Sequence, residues 1–164
     1  NDGVNAIYGE NAQGKTNILE AIWLFTGCKS FRGSKDSEFI KFNSEFSKIS
    51  LDFTDKVRNK KAEIIISDKK KVFLNGVEKK GTTDLIGEFY SVIFSPTHLS
   101  LIKDGPDVRR KFLDTAICQL KPKYAKILSS YRKVISERNS LLKDLQYHSE
   151  LLDVLDILDE QLAK

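Results

Sequence analysis

The stretch Gly9-Glu10-Asn11-Ala12-Gln13-Gly14-Lys15-Thr16 constrains this chain more than any other. It fits the spacing G-x-x-x-x-G-K-[ST], a turn that cradles the phosphates of ATP or GTP. Gly9 and Gly14 let the backbone bend where a Cβ would clash, so that successive N–H groups converge on a phosphate. Lys15 reaches the β/γ-phosphates as a point charge. Thr16 offers a hydroxyl to Mg²⁺, which prefers hard oxygen ligands. Upstream, the apolar run Val4–Tyr8 reads as a buried strand; downstream, Ile18, Leu19, Ile22 and Phe25 recur at helical spacing. Strand, glycine loop and helix start are the context this motif requires, because the unpaired N–H groups and dipole of the helix N-terminus bind the anion.

Composition sets the outer limits. The 164 residues suit one domain or one and a half, and 40% apolar content supports a core. No apolar run approaches the ~18 residues that a membrane-spanning helix needs. Cys28 and Cys118 lie far apart in the chain and read as reduced, buried thiols of a cytosolic protein. Methionine is absent, the chain opens just before the loop and it ends inside a helical pattern; we expect an internal piece of a longer protein. The net charge of +4 is unevenly placed. From Lys29 to Lys80 fourteen Lys/Arg stand against eight Asp/Glu, whereas from Ser149 onward five acids stand against one lysine. The basic middle permits a nucleic-acid partner through phosphate attraction; a solvated, lysine-rich sheet edge is the alternative.

Further along, Gly27–Asp36 reads as a polar loop whose Arg32 either touches phosphate or DNA or is a surface charge. Over residues 46–80, Ile49, Leu51 and Phe53, then Ala62, Ile64 and Ile66, alternate with polar neighbours. Lys69-Lys70-Lys71 is expected at a turn, and Asn75-Gly76 signals a tight hairpin. The region predicts an antiparallel meander with one wet face. Tyr90–Phe94 reads as a buried strand stopped by Ser95-Pro96, and Thr97–Ile102 as a loop or helical turn. His98 has no second ligand nearby at zinc spacing. Gly105-Pro106-Asp107 starts a helix expected to turn Val108, Phe112, Leu113 and Ile117 inward. Arg109-Arg110-Lys111 opposes that helix's dipole, which calls for a phosphate, a carboxylate or a solvated face. From Lys121-Pro122, Leu120, Tyr124, Ile127, Leu128, Tyr131, Val134, Ile135, Arg138, Leu141, Leu142 and Leu145 follow 3–4 spacing, the mark of a long amphipathic helix. His148-Ser149 marks a break, after which Leu151, Leu155, Leu158 and Leu162 resume the pattern as the second limb of a helical hairpin.

Together, Gly9–Ile22 (GENAQGKTNILEAI), Lys29–Arg32 (KSFR), Phe94–Leu99 (FSPTHL), Gly105–Asp114 (GPDVRRKFLD), Arg138–Lys143 (RNSLLK) and Asp153–Ala163 (DVLDILDEQLA) resemble the RecF family of DNA replication and repair proteins. That family is related to the ABC and SMC-type ATPases. The resemblance implies an α/β fold of the P-loop NTPase type: a partial ATP-binding lobe with an antiparallel meander over 1–119, then the start of a helical arm over 120–164. It implies a cytoplasmic, ATP-dependent DNA-binding protein acting in recombinational repair of gaps, a head-to-head homodimer sandwiching ATP, and RecO and RecR as partners. DNA, single-stranded or gapped duplex, is the expected macromolecular ligand.

The implied cofactors are ATP and Mg²⁺, with nucleotide contacts at Gly9, Glu10, Asn11, Ala12, Gln13, Gly14, Lys15, Thr16 and Asn17, and the metal at Thr16. On charge, Arg32, Lys69, Lys70, Lys71, Arg109 and Arg110 are candidates for DNA or phosphate. The family often has a second glycine where Ala12 stands, and acidic residues where Thr97-His98 follow Pro96. Its signature serine-glycine motif, Walker B acid and switch histidine do not occur in these 164 residues, so the piece is expected to bind Mg·ATP weakly and to hydrolyse essentially none. Two other classes remain open: an SMC-like chromosome-organising ATPase or transport ATPase, and a P-loop kinase of small molecules. A long heptad continuation would favour the SMC type, a transmembrane partner the transport type, and an arginine-rich lid the kinase.

Overall fold

Alternation of apolar and polar residues makes a sheet with one covered and one wet face. The computed structural model, which describes residues 3–55, 57–145 and 152–163, contains that sheet. Strands β1 (Ser47–Thr54), β2 (Asn59–Ile66), β3 (Lys70–Leu74) and β4 (Val77–Lys79) lie in the order β1-β2-β3-β4, and every neighbouring pair is antiparallel. The register places Ile49 opposite Ile64, Leu51 opposite Ala62, and Val72 opposite Ile64 on one face. Asn75 (φ 51) and Gly76 (φ 78) form the two-residue turn from β3 to β4, both in the left-handed region that such hairpins demand. Lys69 sits in the β2–β3 turn as expected, whereas Lys70 and Lys71 are already in β3.

Helix α1 (Lys15–Leu24) carries the nucleotide motif at its start and anchors at its other end. Leu24 and Phe25 enter a core cluster with Ala62, Ile64, Ile66, Val72, Leu74 and Leu85. Full burial of such side chains contributes about 1.5–3 kcal/mol each, so this contact holds the loop end of α1 in place. The helix is stopped sharply. Phe25, Thr26 and Gly27 donate their N–H groups to the Ile22, Trp23 and Leu24 carbonyls at 3.2, 3.0 and 3.1 Å, and Gly27 adopts φ 78, the left-handed cap that ends many helices.

On the wet face Glu63 pairs with Lys48 (2.7 Å) and Lys61 (3.6 Å), and these lysines, Lys48 first, hold its carboxyl below the ordinary range. Lys60 bridges Asp55 and Glu88; the Lys60 contact, reinforced by the Val57 and Arg58 N–H groups, pulls the Asp55 carboxyl well below the usual carboxylate range. After the sheet come short 3₁₀ turns at Thr82–Leu85 and Pro96–Leu99, then α2 (Ser100–Lys103) and α3 (Pro106–Leu120). Both cysteines are free thiols, Cys118 buried and Cys28 half-buried.

The chain divides into two compact units, Asn1–Leu120 and Lys121–Lys164. The second comprises α4 (Pro122–Asp144), 23 residues long, and α5 (Leu152–Ala163). The two helices pack on each other. Leu155, Leu158 and Leu162 are half-buried at the expected spacing, while Ile127, Tyr131 and Leu142 on α4 stay exposed. Arg138 clasps Asp159 with both Nε and Nη2, which joins the RNSLLK stretch to α5 and depresses the Asp159 pKa. The expected break at His148-Ser149, and Leu151, lie outside the described residues.

The strand readings and the inward face of α3 are corrected. Val4–Tyr8 and Tyr90–Phe94 are not strands; Val4, Tyr8, Val92 and Phe94 are largely exposed. An apolar run becomes a strand only where another strand completes its hydrogen-bond ladder, and among the described residues neither run has such a partner. In α1, Ile18 and Leu19 are about half exposed and Glu20 is buried instead, because the helix meets the core through Trp23, Leu24 and Phe25. In α3, Phe112 and Leu113 remain about half exposed, while Cys118 and Gln119 near its C-terminal end are buried; the Gln119 side chain accepts the Ser91 N–H at 3.0 Å.

Gly27 combines positive φ with crowding: a Cβ there would lie 2.5 Å from Ile86 Cγ1 and 2.6 Å from the Thr82 carbonyl oxygen. Gly33 has a similar φ of 82 but open space around it. Gly27→Ala should therefore destabilise by about 3 kcal/mol, adding overpacking to left-handed strain, and Gly33→Ala by only about 1 kcal/mol. Urea unfolding of the two variants checks this; equal losses would mean that crowding at Gly27 relaxes freely.

Candidate phosphate-binding site

The loop before α1 turns through three residues with positive φ: Gly9 (150), Ala12 (64) and Gly14 (85). Gly14 is the N-cap of α1 and has no side chain to cap the first turn. The Ile18 N–H bonds the Gly14 carbonyl at 3.2 Å, closing that turn. The N–H groups ahead of Ile18 have no acceptor within the helix, so an anion is their natural partner. Lys15 folds its ammonium back over the loop and donates to the Gly9 carbonyl at 2.7 Å and to the Glu10 carbonyl. Thr16 and Asn17 stand exposed on the first helical turn. Residues 11–17 together with Arg32 line a cavity of about 340 Å³. The donor set suits a polyphosphate: backbone N–H groups, one ammonium, one guanidinium and a hydroxyl for a hard cation.

Arg32 is held there by α1. Its Nη1 donates to Asn17 Oδ1 at 3.0 Å and to Glu20 Oε2 at 3.3 Å. Glu20 is only 2% exposed, and its other oxygen accepts the Ser30 hydroxyl. Ser30 Oγ in turn accepts the N–H groups of Arg32 (3.0 Å) and Ser34 (3.1 Å). One turn further on, Trp23 Nε1 donates to the Lys29 carbonyl at 2.9 Å and its ring meets Phe31 edge-on at 6.3 Å. Glu20 and Trp23, three apart on one face, thus stitch the whole Lys29–Ser34 segment to the nucleotide helix. Sequence reasoning found Arg32 but missed Glu20, Ser30 and Trp23. The sequence carried no local signal for them, because the face of α1 that enters the core, and the loop that returns to it, are set by the packing.

The other basic candidates do not line this cavity. Lys70 pairs with Asp36, while Lys69 and Lys71 are exposed. Arg110 pairs with Asp107, and Arg109 Nη1 donates to the Leu101 and Asp104 carbonyls at 3.3 Å each. The cluster opposing the α3 dipole is therefore met locally by a carboxylate and by carbonyls within and just after α2. His98 Nδ1 accepts the Ser95 N–H at 3.0 Å, and its ring stacks on Phe94 and meets Phe112 edge-on. Among the described residues no cluster of His, Cys, Asp and Glu is arranged to hold a metal, and no helix is long and apolar enough to cross a membrane.

Comparison with known proteins adds the family context. A family described as AAA domain matches residues 1–164. The DNA replication and repair protein RecF of Acetivibrio thermocellus is 44% identical over 163 residues, covering 98% of this chain and 44% of that protein. RecF of Caldanaerobacter subterraneus subsp. tengcongensis is 44% identical over 170 residues, covering 99% and 46%. A solved structure described as the recombination mediator protein RecF-ATP in the RecFOR pathway matches with a TM-score of 0.91 at 44% identity, covering 98% of this chain and 44% of that one. A second, described as RecF-ATPrS in the RecFOR pathway, matches with a TM-score of 0.89 at 42% identity, covering 95% and 43%. The chain spans a little under half the length of these relatives.

Ala12 carries a Cβ in the left-handed region, a conformation that costs a non-glycine residue about 1–2 kcal/mol. Ala12→Gly should relieve that strain but loosen the unfolded chain, which offsets about 0.4–1 kcal/mol of it. The expected net is a gain of about 0.5 kcal/mol in urea unfolding, with Ala12→Val losing stability. A loss for the glycine variant would show that Ala12 is unstrained.

Proposed function

The chain belongs to the AAA-domain family and, within it, to the RecF proteins of DNA replication and repair, and from that membership we propose that it is the nucleotide-binding portion of an ATP-dependent DNA-binding protein acting in recombinational repair. The observation that carries the proposal is the left-handed loop at Gly9–Gly14 running into α1, with Lys15 and Arg32 on one cavity. In this reading Gly9, Glu10, Asn11, Ala12, Gln13 and Gly14 wrap the phosphates with backbone N–H groups. Lys15 leaves its two loop carbonyls for β/γ-phosphate oxygens. Thr16 would hold Mg²⁺, Asn17 would lie at the edge of the phosphate site, and Arg32 would add a planar cation. The metal supplies charge neutralisation across the phosphates.

Turnover needs a group that orients the attacking water and an opposing set of donors. We assign these to a homodimer sandwiching ATP, as the family resemblance implies, with RecO, RecR and single-stranded or gapped DNA as partners and the cytoplasm as the place of action. Residues 1–164 by themselves should then bind Mg·ATP weakly and release no phosphate. The decisive experiment is nucleotide titration of the full-length protein beside Lys15→Ala. A charge-assisted hydrogen bond contributes about 1.5–3 kcal/mol, so the variant should lose roughly ten- to a hundredfold in ATP affinity; an unchanged affinity would sink the nucleotide reading.

For DNA, Lys69 and Lys71 are the stronger candidates of their trio, because Lys70 already has Asp36. Arg109 and Arg110 are weaker for the same reason. If Lys69 and Lys71 each neutralise one phosphate, replacing both with alanine should flatten the slope of log affinity against log salt by about 1.4 on single-stranded DNA and about 1.8 on duplex. Lys70→Ala should change it less. A slope unmoved by the double change would return Lys69 and Lys71 to the role of a solvated edge.

A further inference from the structure

We propose that Glu20 is a positioning residue that lets this site prefer a nucleoside triphosphate over a diphosphate, acting through Arg32; the inference rests on the nucleotide reading above. Arg32 has five N–H donors on three nitrogens. Nη1 alone carries both protein contacts, to Asn17 and to the buried Glu20. Among the described residues Nε and Nη2 have no protein acceptor, and the side chain lines the cavity formed with the loop. One corner of the guanidinium is pinned and the remaining fork is left for a ligand. A planar fork matches phosphate oxygens in pairs, and the terminal phosphate is the one part of a triphosphate that a diphosphate lacks.

A purely mechanical stitch would not need an acid here. Ser30 could bond any acceptor, and Trp23 already fastens Lys29 and Phe31. Burying a carboxyl group to 2% exposure is costly unless a cation compensates, and the cation within reach is Arg32, at 3.3 Å. The pair is asymmetric: the Arg32 side chain is 44% exposed and the Glu20 side chain 3%. Glu20 is fixed by the fold, and Arg32, reaching toward solvent, is the group that it aims.

The test uses the full-length protein with ATP and ADP as probes, measuring affinity for each in wild type, Glu20→Gln, Arg32→Lys, Arg32→Ala and the double variant Glu20→Gln/Arg32→Ala. Glutamine keeps the shape and the Ser30 contact. We expect it to lower the ATP:ADP affinity ratio about five- to tenfold, the effect of losing one charge-assisted contact, with ADP affinity little changed. Arg32→Lys keeps the charge without the fork and should lower the ratio similarly, so the proposal stays testable even if Glu20→Gln folds poorly. The double variant should match Arg32→Ala alone. Equal weakening of ATP and ADP by Glu20→Gln, a wild-type ratio in Arg32→Lys, or additive losses in the double variant would overturn it. Failure of the nucleotide reading looks different: wild type binds neither probe, or Lys15→Ala changes nothing.

Discussion

The contact of Leu24 and Phe25 with the covered face of the meander is what the first unit depends on. Leu24 is 2% exposed and Phe25 1%, and both touch the Ala62, Ile64, Ile66 and Val72 cluster. Through them a four-stranded sheet with no phosphate chemistry of its own fixes the orientation of the helix that has it. Gly27 lets the chain leave that contact without a clash, and Trp23 and Glu20 pull the next loop back along the same helix. The result is a rigid α1 whose N-terminus, Lys15 and returning Arg32 share one cavity. A loop bearing the same motif on an unanchored helix would have the same residue types without the convergence.

Magnitudes separate the charges that matter from those that decorate. The wet-face pairs Lys48–Glu63 and Lys61–Glu63 are solvent-screened and contribute little to stability. They also change how the excess of basic residues over 29–80 must be read. Among the described lysines of the region, Lys48, Lys60, Lys61 and Lys70 sit against carboxylates, so part of the basic excess is neutralised locally, while Lys69 and Lys71 stay exposed without an ion pair. Arg109 and Arg110 follow the same logic on α3. The count of charges in the chain was right; their pairing, which decides the field felt by a nucleic acid, is a property of the register and the packing.

Local physics explains what was legible beforehand. The meander could be read because period-two alternation and the Asn75-Gly76 turn act within a few residues of themselves, and the α4–α5 spacing could be read because a helical stripe is local too. The turn at Gly9–Gly14 was legible because its positive φ angles are ones that few residues adopt. What could not be read was long-range. Val4–Tyr8 and Tyr90–Phe94 have strand-like composition, but strand formation depends on a partner that composition does not name. Phe112 and Leu113 are expected inward from apolarity alone, whereas burial in α1 and α3 follows which side of each helix meets another element. Glu20 was passed over for the mirror-image reason. A lone acid between apolar neighbours looks solvated until its partners, ten and twelve residues away, are in place.

Anchor and strain belong together in this site. Ala12 sits in a conformation that costs about 1 kcal/mol or more, and the loop around it exposes nearly every side chain, so little in the loop itself offsets that cost. Strained backbone persists only where its surroundings over-determine it. Here the surroundings are the two ends of the segment: Lys15 closing onto the Gly9 and Glu10 carbonyls, and α1 fastened through Leu24 and Phe25, whose burial contributes several times the strain. The Lys15 contacts are also the ones that a phosphate would have to displace. In the nucleotide reading, binding would trade an internal closure of the loop for an external one of the same charge type and leave the hydrophobic anchor untouched. In that reading the division would let the loop exchange partners while the anchor of α1 stays in place, and would put specificity in the side chains that α1 holds at the cavity rather than in the loop backbone.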